Sequence, residues 1–436
     1  MKVLLVVPPY RTWLKKPLGE FDFSTIPLGL TYIAAVLKLK GIATSILDLS
    51  FPNVEKERLE KKLAHDKPDV VGITSMTGNY HGALSVAKRS KRWNPEVTVA
   101  LGGIHATFMW KEILATVPEV DVIVRYEGEL VMSEFIDALL KKHPLRDVQS
   151  ICFREEGKTI STPLRGRIED LDKLPYPAHD LLEPSAEEYV RLYGARNFPV
   201  ITTRGCPFGC IYCSTMAFHG QKYRFRSISN IIGEMEYLME KFRADNISFV
   251  DDNFTMQKKR VLTLCKEIIR ADLEIEWGCS ARVDQVSEGL LKTMKEAGCK
   301  DIFFGIESAS QHVLDIVKKS FSVKQAKDAV KTAERLGIKT HCSFILGLPG
   351  ETARSLNKQV QFVDETKPSG RVLPNKLQIL PGTELYDKKR EYFAGQPNVS
   401  DADIVRTQLE MLAGFYRINF GVNELFPVRP PNLIIE

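Results

Sequence analysis

The sequence contains no apolar run that approaches the ~20 residues needed to cross a bilayer, so no membrane span is expected. It also has little excess of charge: 60 Lys and Arg against 55 Asp and Glu leave +5 over 436 residues, and we expect no nucleic-acid partner. Eight cysteines are too few for a disulfide scaffold in a chain of this length, which favours a reducing, cytoplasmic location. Apolar residues at 44% are typical of a globular protein with two or three domains.

The first 145 residues alternate short β-branched runs with helical patterns. The start, Met1–Pro9, has too short an apolar core for a signal peptide and predicts a buried first strand. The predicted strands are Val3–Val7, Thr44–Leu47, Val70–Thr74, Val97–Leu101 and Val122–Val124. The predicted helices are Leu28–Lys40, Glu55–Ala64, Gly82–Arg92, Met109–Thr116 and Leu130–Lys141. Five βα units in a row predict an α/β, doubly wound (Rossmann-like) parallel sheet over residues 1–145.

Ligands of such a sheet bind beyond the carboxyl ends of its strands. The predicted fourth strand ends in Gly102-Gly103, a pair that allows a bulky ligand to approach the backbone closely. The first strand is not followed by GxGxxG, so a dinucleotide is not expected. This end of the sheet is therefore predicted to bind something other than a dinucleotide, or nothing.

Residues 146–197 are proline-rich and predicted to be a linker between domains. From residue 198 to 384 the βα alternation resumes with longer units. The predicted strands are Pro199–Thr203, Ile247–Val250, Glu274–Cys279, Asp301–Ile306, Thr340–Leu346 and Arg371–Ile379. The predicted helices, with serine caps before them, are Ile231–Phe242, Glu288–Ala297 and Val323–Leu336. Residues 385–436 form a short C-terminal segment with one helix, Ser400–Phe420.

Three cysteines, Cys206, Cys210 and Cys213, follow the first of these strands within eight residues. Thiolates at this spacing can hold an iron–sulfur cluster, zinc or Cu(I). Structural zinc requires four ligands, and the nearest fourth candidate, His219, lies off the usual zinc spacings. A cubane held by three cysteines instead leaves one iron open. The other five cysteines lie in apolar surroundings and are predicted to be packing residues.

Polar residues stand at the ends of the later predicted strands. They are Asp251 and Asp252, Arg282, and Glu307, with Leu346-Gly347 at the end of the fifth strand. Each acid taken singly would be a helix cap or a salt-bridge partner. Because barrel chemistry belongs at the carboxyl ends of the strands, the series predicts a polar ligand site there.

The cysteine spacing, with Tyr212 before the last cysteine, resembles the radical S-adenosylmethionine (SAM) superfamily. The resemblance implies a partial (β/α)6, TIM-like barrel and a [4Fe-4S] cluster on Cys206, Cys210 and Cys213, whose open iron chelates SAM. It also implies a SAM site. Its residues are Tyr212, Asp251, Asp252, Arg282, Glu307, Leu346 and Gly347. In this site the acids after the second strand would accept from the SAM ammonium, and Arg282 would pair with its carboxylate.

The N-terminal domain resembles the cobalamin-binding half of B12-dependent radical SAM proteins, whose sheets carry similar Gly-Gly-x-His-x-Thr and Glu-Gly-Glu stretches. The sequence lacks the Asp-x-His-x-x-Gly motif that supplies a lower histidine ligand to cobalt, so no protein histidine is expected on the metal. The cobalamin-binding residues that the resemblance implies are Pro9, Ser75, Met76, Thr77, Gly102, Gly103, His105, Thr107, Glu127 and Gly128. Without this cofactor the region would be a doubly wound domain with tight turns.

The resemblance covers residues 1–385 and implies a radical SAM methyltransferase that methylates an unactivated carbon. Two SAM molecules are then spent per turnover, one as methyl donor and one as source of the 5′-deoxyadenosyl radical. The implied partners are a peptide, protein or small-molecule substrate and an external one-electron reductant. One implied niche is protein methylation, as by the glutamine C-methyltransferase of methanogens. The alternatives are a B12-dependent cyclase or ring-rearranging enzyme and, more remotely, a non-enzymatic iron–sulfur or cobalamin sensor.

Overall fold

The computed structural model describes residues 1–10, 26–51, 57–193, 196–395 and 399–420. The chain divides into two compact units. The first consists of Met1–Phe208, Tyr212–Asp252 and Ile379–Asp387, and the second of Gly209–Ile211, Asn253–Gln378 and Lys388–Glu436. Among the helices within the described ranges, none is long and apolar enough to span a membrane.

The N-terminal part of the first unit is built on an eight-stranded, mainly parallel sheet. Its strands are β1 (Lys2–Val7), β2 (Ala43–Asp48), β3 (Val70–Thr74), β4 (Thr98–Gly102), β5 (Val122–Val124), β6 (Ile151–Glu155), β7 (Lys158–Ser161) and β8 (Leu182–Glu183). Their order across the sheet is β7-β6-β5-β4-β3-β1-β2-β8. The direction of winding reverses between β1 and β3, which is the switch point where ligands of doubly wound sheets bind.

Five helices follow the first five strands, and they confirm the predicted doubly wound fold. They are α1 (Leu28–Leu39), α2 (Arg58–Asp66), α3 (Tyr80–Trp93), α4 (Ile104–Thr116) and α5 (Gly128–Lys141). The first two residues of the helix predicted over Glu55–Ala64 lie outside the described residues. Helix α4 begins five residues before the predicted start, because Gly103 caps it at a φ of +94°. His105 and Thr107 therefore belong to a helix and not to a strand-end loop.

The segment predicted as a linker contributes regular structure to the first unit. Strands β6 and β7 form a hairpin whose two turn residues, Glu156 and Gly157, both have positive φ, and β6 pairs antiparallel with β5. Strand β8 pairs with β2 at the other edge, and α6 (Ala186–Tyr193) follows it. These strands were missed because they are short and are defined by pairing with the edges of the sheet.

The first unit also contains the segment around the three cysteines. Its elements are β9 (Asn197–Val200), β10 (Thr203–Arg204), α7 (Thr215–His219), β11 (Arg224–Phe225), α8 (Ile228–Phe242) and β12 (Asn246–Phe249). Strands β9 and β12 pair in parallel, and β10 and β11 pair antiparallel. Ser227, one of the two serines predicted as its cap with Ser229, caps α8 by accepting from the Asn230 amide, and the helix begins three residues before the predicted start.

The second unit holds a parallel sheet whose four strands follow chain order. They are β13 (Glu276–Ala281), β14 (Cys299–Glu307), β15 (Lys339–Leu346) and β16 (Val372–Lys376). Its helices are α9 (Lys258–Arg270), α10 (Glu288–Glu296), α11 (Gln311–Ile316), α12 (Val323–Arg335) and α13 (Ala353–Thr366). After α14 (Glu384–Asp387) of the first unit come α15 (Lys389–Phe393) and α16 (Asp401–Phe420). All six strands predicted for residues 198–384 are observed, and Ser287 and Ser322 cap their helices.

Candidate functional site

A cavity of about 460 Å³ lies at the switch point of the N-terminal sheet. Its wall is mostly apolar and includes residues at the ends of four parallel strands: Val7, Met76, Gly102 and Gly103, and the stretch 126–129. Residues next to the cysteine loop complete it, namely Arg204, Phe218 and His219. We call this space the cofactor cavity. Of the predicted cobalamin residues, Met76, Gly102, Gly103, Glu127 and Gly128 line it.

Two buried polar groups at the end of β3 fit a large ligand with hydrogen-bonding side groups. The amide nitrogen of Asn79 and the hydroxyl of Ser75 are buried and have no hydrogen-bond partner within the protein. Asn79 also lines the cavity, and its carbonyl oxygen accepts from the Met76 amide at 2.7 Å. A buried donor without a partner costs free energy, so a ligand that accepts from it is favoured. Sequence reasoning missed Asn79 because a single asparagine after a strand reads as a turn residue.

Gly102 and Gly103 differ in what requires them to be glycine. A Cβ on Gly103 would lie 2.7 Å from the carbonyl oxygen of Ser75, and its φ is +94°. A Cβ on Gly102 would meet nothing closer than 3.5 Å. Gly103 is therefore required by the backbone turn itself, and Gly102 is the position where a larger side chain would enter the cavity.

The other predicted cobalamin residues lie outside the cavity wall. His105 is buried, its Nδ1 lies 3.1 Å from the Thr77 hydroxyl, and burial, together with nearby His81, lowers its pKa. The Thr107 hydroxyl accepts from the Tyr126 amide at 2.9 Å. Pro9 is exposed. The side chains of His105 and Thr107 are thus engaged in holding α4 and the β5–α5 turn.

The carboxylate of Glu127 is buried and is surrounded by basic groups. Arg224 donates to both of its oxygens, at 3.0 and 2.8 Å, and the Ile168 amide donates at 2.8 Å. Arg204 Nη1 lies 3.4 Å from Oε1, and His219 Nδ1 lies at 3.6 Å. Burial raises the pKa of this carboxyl, but His219 and the arginines outweigh it, so the pKa lies well below its usual range. Sequence reasoning missed Arg204 and Arg224 as partners of Glu127, because they approach it only in the folded chain and their positions in the sequence give no sign of the contact.

The cysteine loop, residues 205–214, has no helix or strand, and its three cysteines are partly exposed. All eight cysteines lie within described ranges, and none forms a disulfide. The Cys206 amide donates to Gly220 in the first unit, while the Ile211 amide donates to Val317 in the second. Tyr212 is half-buried in a turn. Across the part of the chain that the structure describes, no three His, Cys, Asp or Glu side chains are already grouped as a metal site. The donor set still fits an iron–sulfur cluster, because partly exposed thiols on one short loop suit thiolate ligation.

The two acids after β12 have different surroundings. Asp251 is buried, and its Oδ1 accepts from the Thr202 amide at 2.9 Å and the Thr203 hydroxyl at 2.5 Å. Asp252 is exposed and accepts from the Thr215 hydroxyl at 3.0 Å. Asp251 thus fixes the strand end from which the cysteine loop departs, and Asp252 is open to an incoming ammonium.

In the second unit, three buried charged residues meet at the ends of β13 and β14. Arg282 pairs with Asp284 through two hydrogen bonds of 3.0 Å and donates to the Lys319 carbonyl at 2.7 Å. Glu307 accepts from Lys319 Nζ at 2.9 Å and has a φ of +64° at a bulge in the β14–β15 register. A glutamate held in the left-handed region is strained, and such strain concentrates at functional sites. Lys319 gave no signal in the sequence, since it lies in a loop after α11.

The end of β15 is held by a buried polar network. Gly347 has a φ of +91°, and its amide donates to Glu351. Gln359 donates to Glu351 at 3.1 Å and to the Ser308 hydroxyl at 2.9 Å. Burial raises the pKa of Glu351 to about 7. Leu346 is buried, so the backbone of Leu346 and Gly347, and not their side chains, is what this strand end offers to a ligand.

The comparisons with known proteins agree with a cofactor site on the N-terminal sheet and a second site on the segment that begins at the cysteine loop. A model of the B12 binding domain matches residues 15–136, and a model of the Radical SAM superfamily matches residues 200–363. Uncharacterized methyltransferase PH0819 of Pyrococcus horikoshii is 37% identical over 369 residues, which cover 83% of this chain and 77% of that protein.

Two further proteins are similar to this chain over most of its length. Anaerobic magnesium-protoporphyrin IX monomethyl ester cyclase of Rubrivivax gelatinosus is 32% identical over 84% of this chain and 66% of its own length. The solved structure of the radical SAM methyltransferase TsrM from Kitasatospora setae, with cobalamin and a [4Fe-4S] cluster bound, has the same fold. It superimposes with a TM-score of 0.74 at 18% identity, over 92% of this chain and 80% of TsrM. The chain belongs to the cobalamin-dependent radical SAM methyltransferase family, and its cofactors are a [4Fe-4S] cluster, SAM and cobalamin.

Proposed function

We propose that this enzyme methylates an unactivated carbon of a peptide, protein or small-molecule substrate. The observation that carries the proposal is the cofactor cavity, whose wall contains both the strand ends of a B12-type sheet and residues beside the cysteine loop. An apolar cavity with a few unpartnered donors suits a corrin, and a thiol loop at its edge suits a cluster. The two redox cofactors of the family would then serve one reaction.

Three cysteines would hold the cluster: Cys206, Cys210 and Cys213. Tyr212 would support the loop, and Asp251 would position it through Thr202 and Thr203. The feature that supports this role is the backbone of the loop, which is anchored at the Cys206 and Ile211 amides and leaves the thiols partly exposed.

SAM would be bound by charged groups and a strand end. Asp252 would accept from its ammonium, Arg282 and Lys319 would face its carboxylate, and Glu307 would accept from its ribose hydroxyls. The backbone at Leu346 and Gly347 would contact the adenine. Each of the charged groups is preorganised by a partner within the protein, which lowers the cost of ordering them on binding.

Cobalamin would be bound in the cofactor cavity. Asn79 would donate to its side groups from the cavity wall, and Met76 and Gly102 would contact the ring face. Ser75, which is not part of the wall, would donate from the adjacent end of β3. Gly103, Thr77, His105 and Thr107 would shape the turns behind them, and Glu127 and Gly128 would form the opposite wall. Pro9 would lie at the rim.

When bound, these cofactors supply an electron, a hydrogen-abstracting radical and a transferable methyl group. The net reaction converts one C–H bond and two SAM molecules into C–CH₃, S-adenosylhomocysteine, 5′-deoxyadenosine and methionine. It consumes two electrons, delivered singly by an external reductant. The residues of the chain bind and orient SAM, and the apolar cavity wall excludes water from the radical steps.

The C-terminal segment, residues 385–436, would select the substrate. Within it, Ile404 of α16 lies beside Gly347 at the end of β15, since a Cβ on Gly347 would be only 3.3 Å from the Ile404 side chain. A peptide or protein carbon is one proposed substrate class beside small molecules, and the reducing cytoplasm is the proposed location. The cyclase alternative would use the same cofactors without net methyl transfer.

The proposal is tested with SAM that carries a deuterated methyl group. Anaerobically reconstituted enzyme, cobalamin and a one-electron reductant are incubated with peptide and small-molecule pools, and products are examined by mass spectrometry. Transfer of the labelled methyl group to a carbon, lost in the Cys206→Ala variant, supports the proposal. A product modified without the label, in the same pools, favours the cyclase.

A further inference from the structure

The cysteine loop is closed at its base by two arginines that face each other. In the β10–β11 pair, Arg204 stands directly opposite Arg224, and both are buried. Like charges opposite each other in an antiparallel pair are destabilising, and burial increases the penalty. The base of the loop therefore requires a buried anion.

Glu127 supplies that anion from the turn between β5 and α5. It accepts from Arg224 through both carboxylate oxygens and lies 3.4 Å from Arg204. Glu129, two residues on, pairs with Arg204 at 2.5 Å. Two carboxylates thus neutralise two arginines, but only Glu127 contacts both.

The same contacts extend into the loop. Arg224 Nη2 also donates to the His219 carbonyl at 2.9 Å, and the next residue, Gly220, accepts from the Cys206 amide at 3.2 Å. The His219 ring lies 3.6 Å from Glu127. Removing the Glu127 charge would therefore loosen Arg224, and with it the backbone that holds the first cysteine.

The Glu127 turn and helix α7, which follows the cysteine loop, both line the cofactor cavity. Tyr126, Glu127 and Glu129 line it on one side, and Phe218 and His219 line it beside the loop. Arg167 ties the two sides together, since it lies over the Tyr126 ring at 3.8 Å and donates to the Phe218 carbonyl at 2.8 Å. A ligand that fills the cavity contacts both sides and restricts their separation.

We propose that Glu127 is a positioning residue through which a corrin bound in the cofactor cavity stabilises the cysteine loop and its cluster. The inference rests on the proposed function, because it assumes that the cavity takes cobalamin and that the loop takes the cluster. Thermodynamic linkage makes the effect reciprocal: cobalamin tightens binding of the cluster, and the intact cluster tightens binding of cobalamin by the same free energy.

The test measures release of iron to a chelator from anaerobically reconstituted full-length protein, with and without saturating cobalamin. In wild-type protein, cobalamin should slow the release. In Glu127→Gln, release should be about tenfold faster, and cobalamin should no longer slow it. Cobalamin binding, followed by its absorbance, should weaken by the lost coupling but remain measurable in this variant, because Asn79 and the rest of the cavity wall are unchanged.

Glu234→Gln is the matched control. Glu234 is fully buried and pairs with Arg226, outside the loop, so this variant loses a comparable buried ion pair. It should release iron as the wild type does and keep the protection by cobalamin. If Glu127→Gln is insoluble, the charge-balanced Glu127→Gln/Arg224→Gln variant takes its place, with the same expected result.

The outcomes separate the inference from the proposed function. Wild-type protein that binds no cobalamin contradicts the proposed function. Wild-type protein that binds cobalamin, with a Glu127→Gln variant that releases iron no faster than Glu234→Gln or is protected equally by cobalamin, contradicts only the role of Glu127.

Discussion

The cofactor cavity and the strand ends of the second unit differ in the polarity of their residues. The cavity wall is mostly apolar, and the charged residues near it, such as Glu127 and Arg224, are neutralised within the protein. At the ends of β13 and β14, by contrast, three buried charged residues, Arg282, Glu307 and Lys319, stand at the strand ends where a ligand is predicted, and each is paired within the protein. A corrin ring requires an apolar surface, whereas zwitterionic SAM requires charges that are already desolvated and oriented. This difference is the reason that we propose cobalamin for the cavity and SAM for these strand ends.

The largest effect is expected at the cysteine loop, on which both regions depend. Replacing Cys206, Cys210 and Cys213 together by Ala should remove the cluster and all SAM cleavage, measured as iron content and 5′-deoxyadenosine. Cys265→Ala is the control, because burial raises the pKa of that thiol to about 12 and leaves it unsuited to ligation. A triple variant with its full iron complement would show that other cysteines hold the cluster.

A large effect on SAM alone is expected at Lys319. Lys319→Met leaves Glu307 without its buried partner and should weaken SAM binding about tenfold or more, equivalent to at least about 1.4 kcal/mol. Lys319→Arg keeps the charge and should recover most of the affinity. Equilibrium dialysis with SAM measures both, and cobalamin binding is the internal control. Equal loss of SAM and cobalamin in Lys319→Met would erase the distinction between the two regions.

The two glycines of the cavity wall allow a matched test of stability. Gly103→Ala should destabilise the protein by about 3 kcal/mol, because its Cβ would clash with Ser75 at a φ that L-residues rarely adopt. Gly102→Ala should change stability by less than about 1 kcal/mol. Denaturant unfolding of the N-terminal unit measures the difference. Similar values for the two variants would mean that Gly103 is not constrained by its backbone.

A pH dependence of stability, confined to a narrow range of pH, is expected at Glu351 in the second unit. Its pKa is raised by burial from 4.5 to about 7, so the folded protein holds this proton more tightly than the unfolded chain. Its contribution to stability is therefore full below about pH 4.5 and falls, by about 3 kcal/mol, as the pH rises to about 7. Wild-type protein should lose stability relative to Glu351→Gln across this range. Parallel curves for the two proteins would place the pKa of Glu351 near its ordinary value.

Much of the fold could be predicted because its signals are local. Hydrophobic runs located all eleven predicted strands, and serine caps located the starts of α10 and α12. The family, the cofactors and the methyltransferase class are confirmed by the comparisons. The hairpin of β6 and β7 was missed because its short strands acquire their identity from pairing with β5.

The site was predicted less completely, because side-chain partners depend on tertiary contacts. Residue types at strand ends indicated Arg282 and Glu307, but Lys319 reaches Glu307 from a loop twelve residues later. Glu127 was predicted to bind cobalamin, and its partners Arg204 and Arg224 lie far along the chain, so its ion pairs could not be anticipated. The individual roles of these residues remain predictions.

The most direct test of methyl transfer is the ratio of the two SAM products during turnover with the substrate found by labelling. S-adenosylhomocysteine and 5′-deoxyadenosine should accumulate in near-equal amounts, and Arg282→Ala and Glu307→Ala should lower both together, because both SAM molecules would use one site. Formation of 5′-deoxyadenosine and modified substrate without matching S-adenosylhomocysteine would contradict methyl transfer.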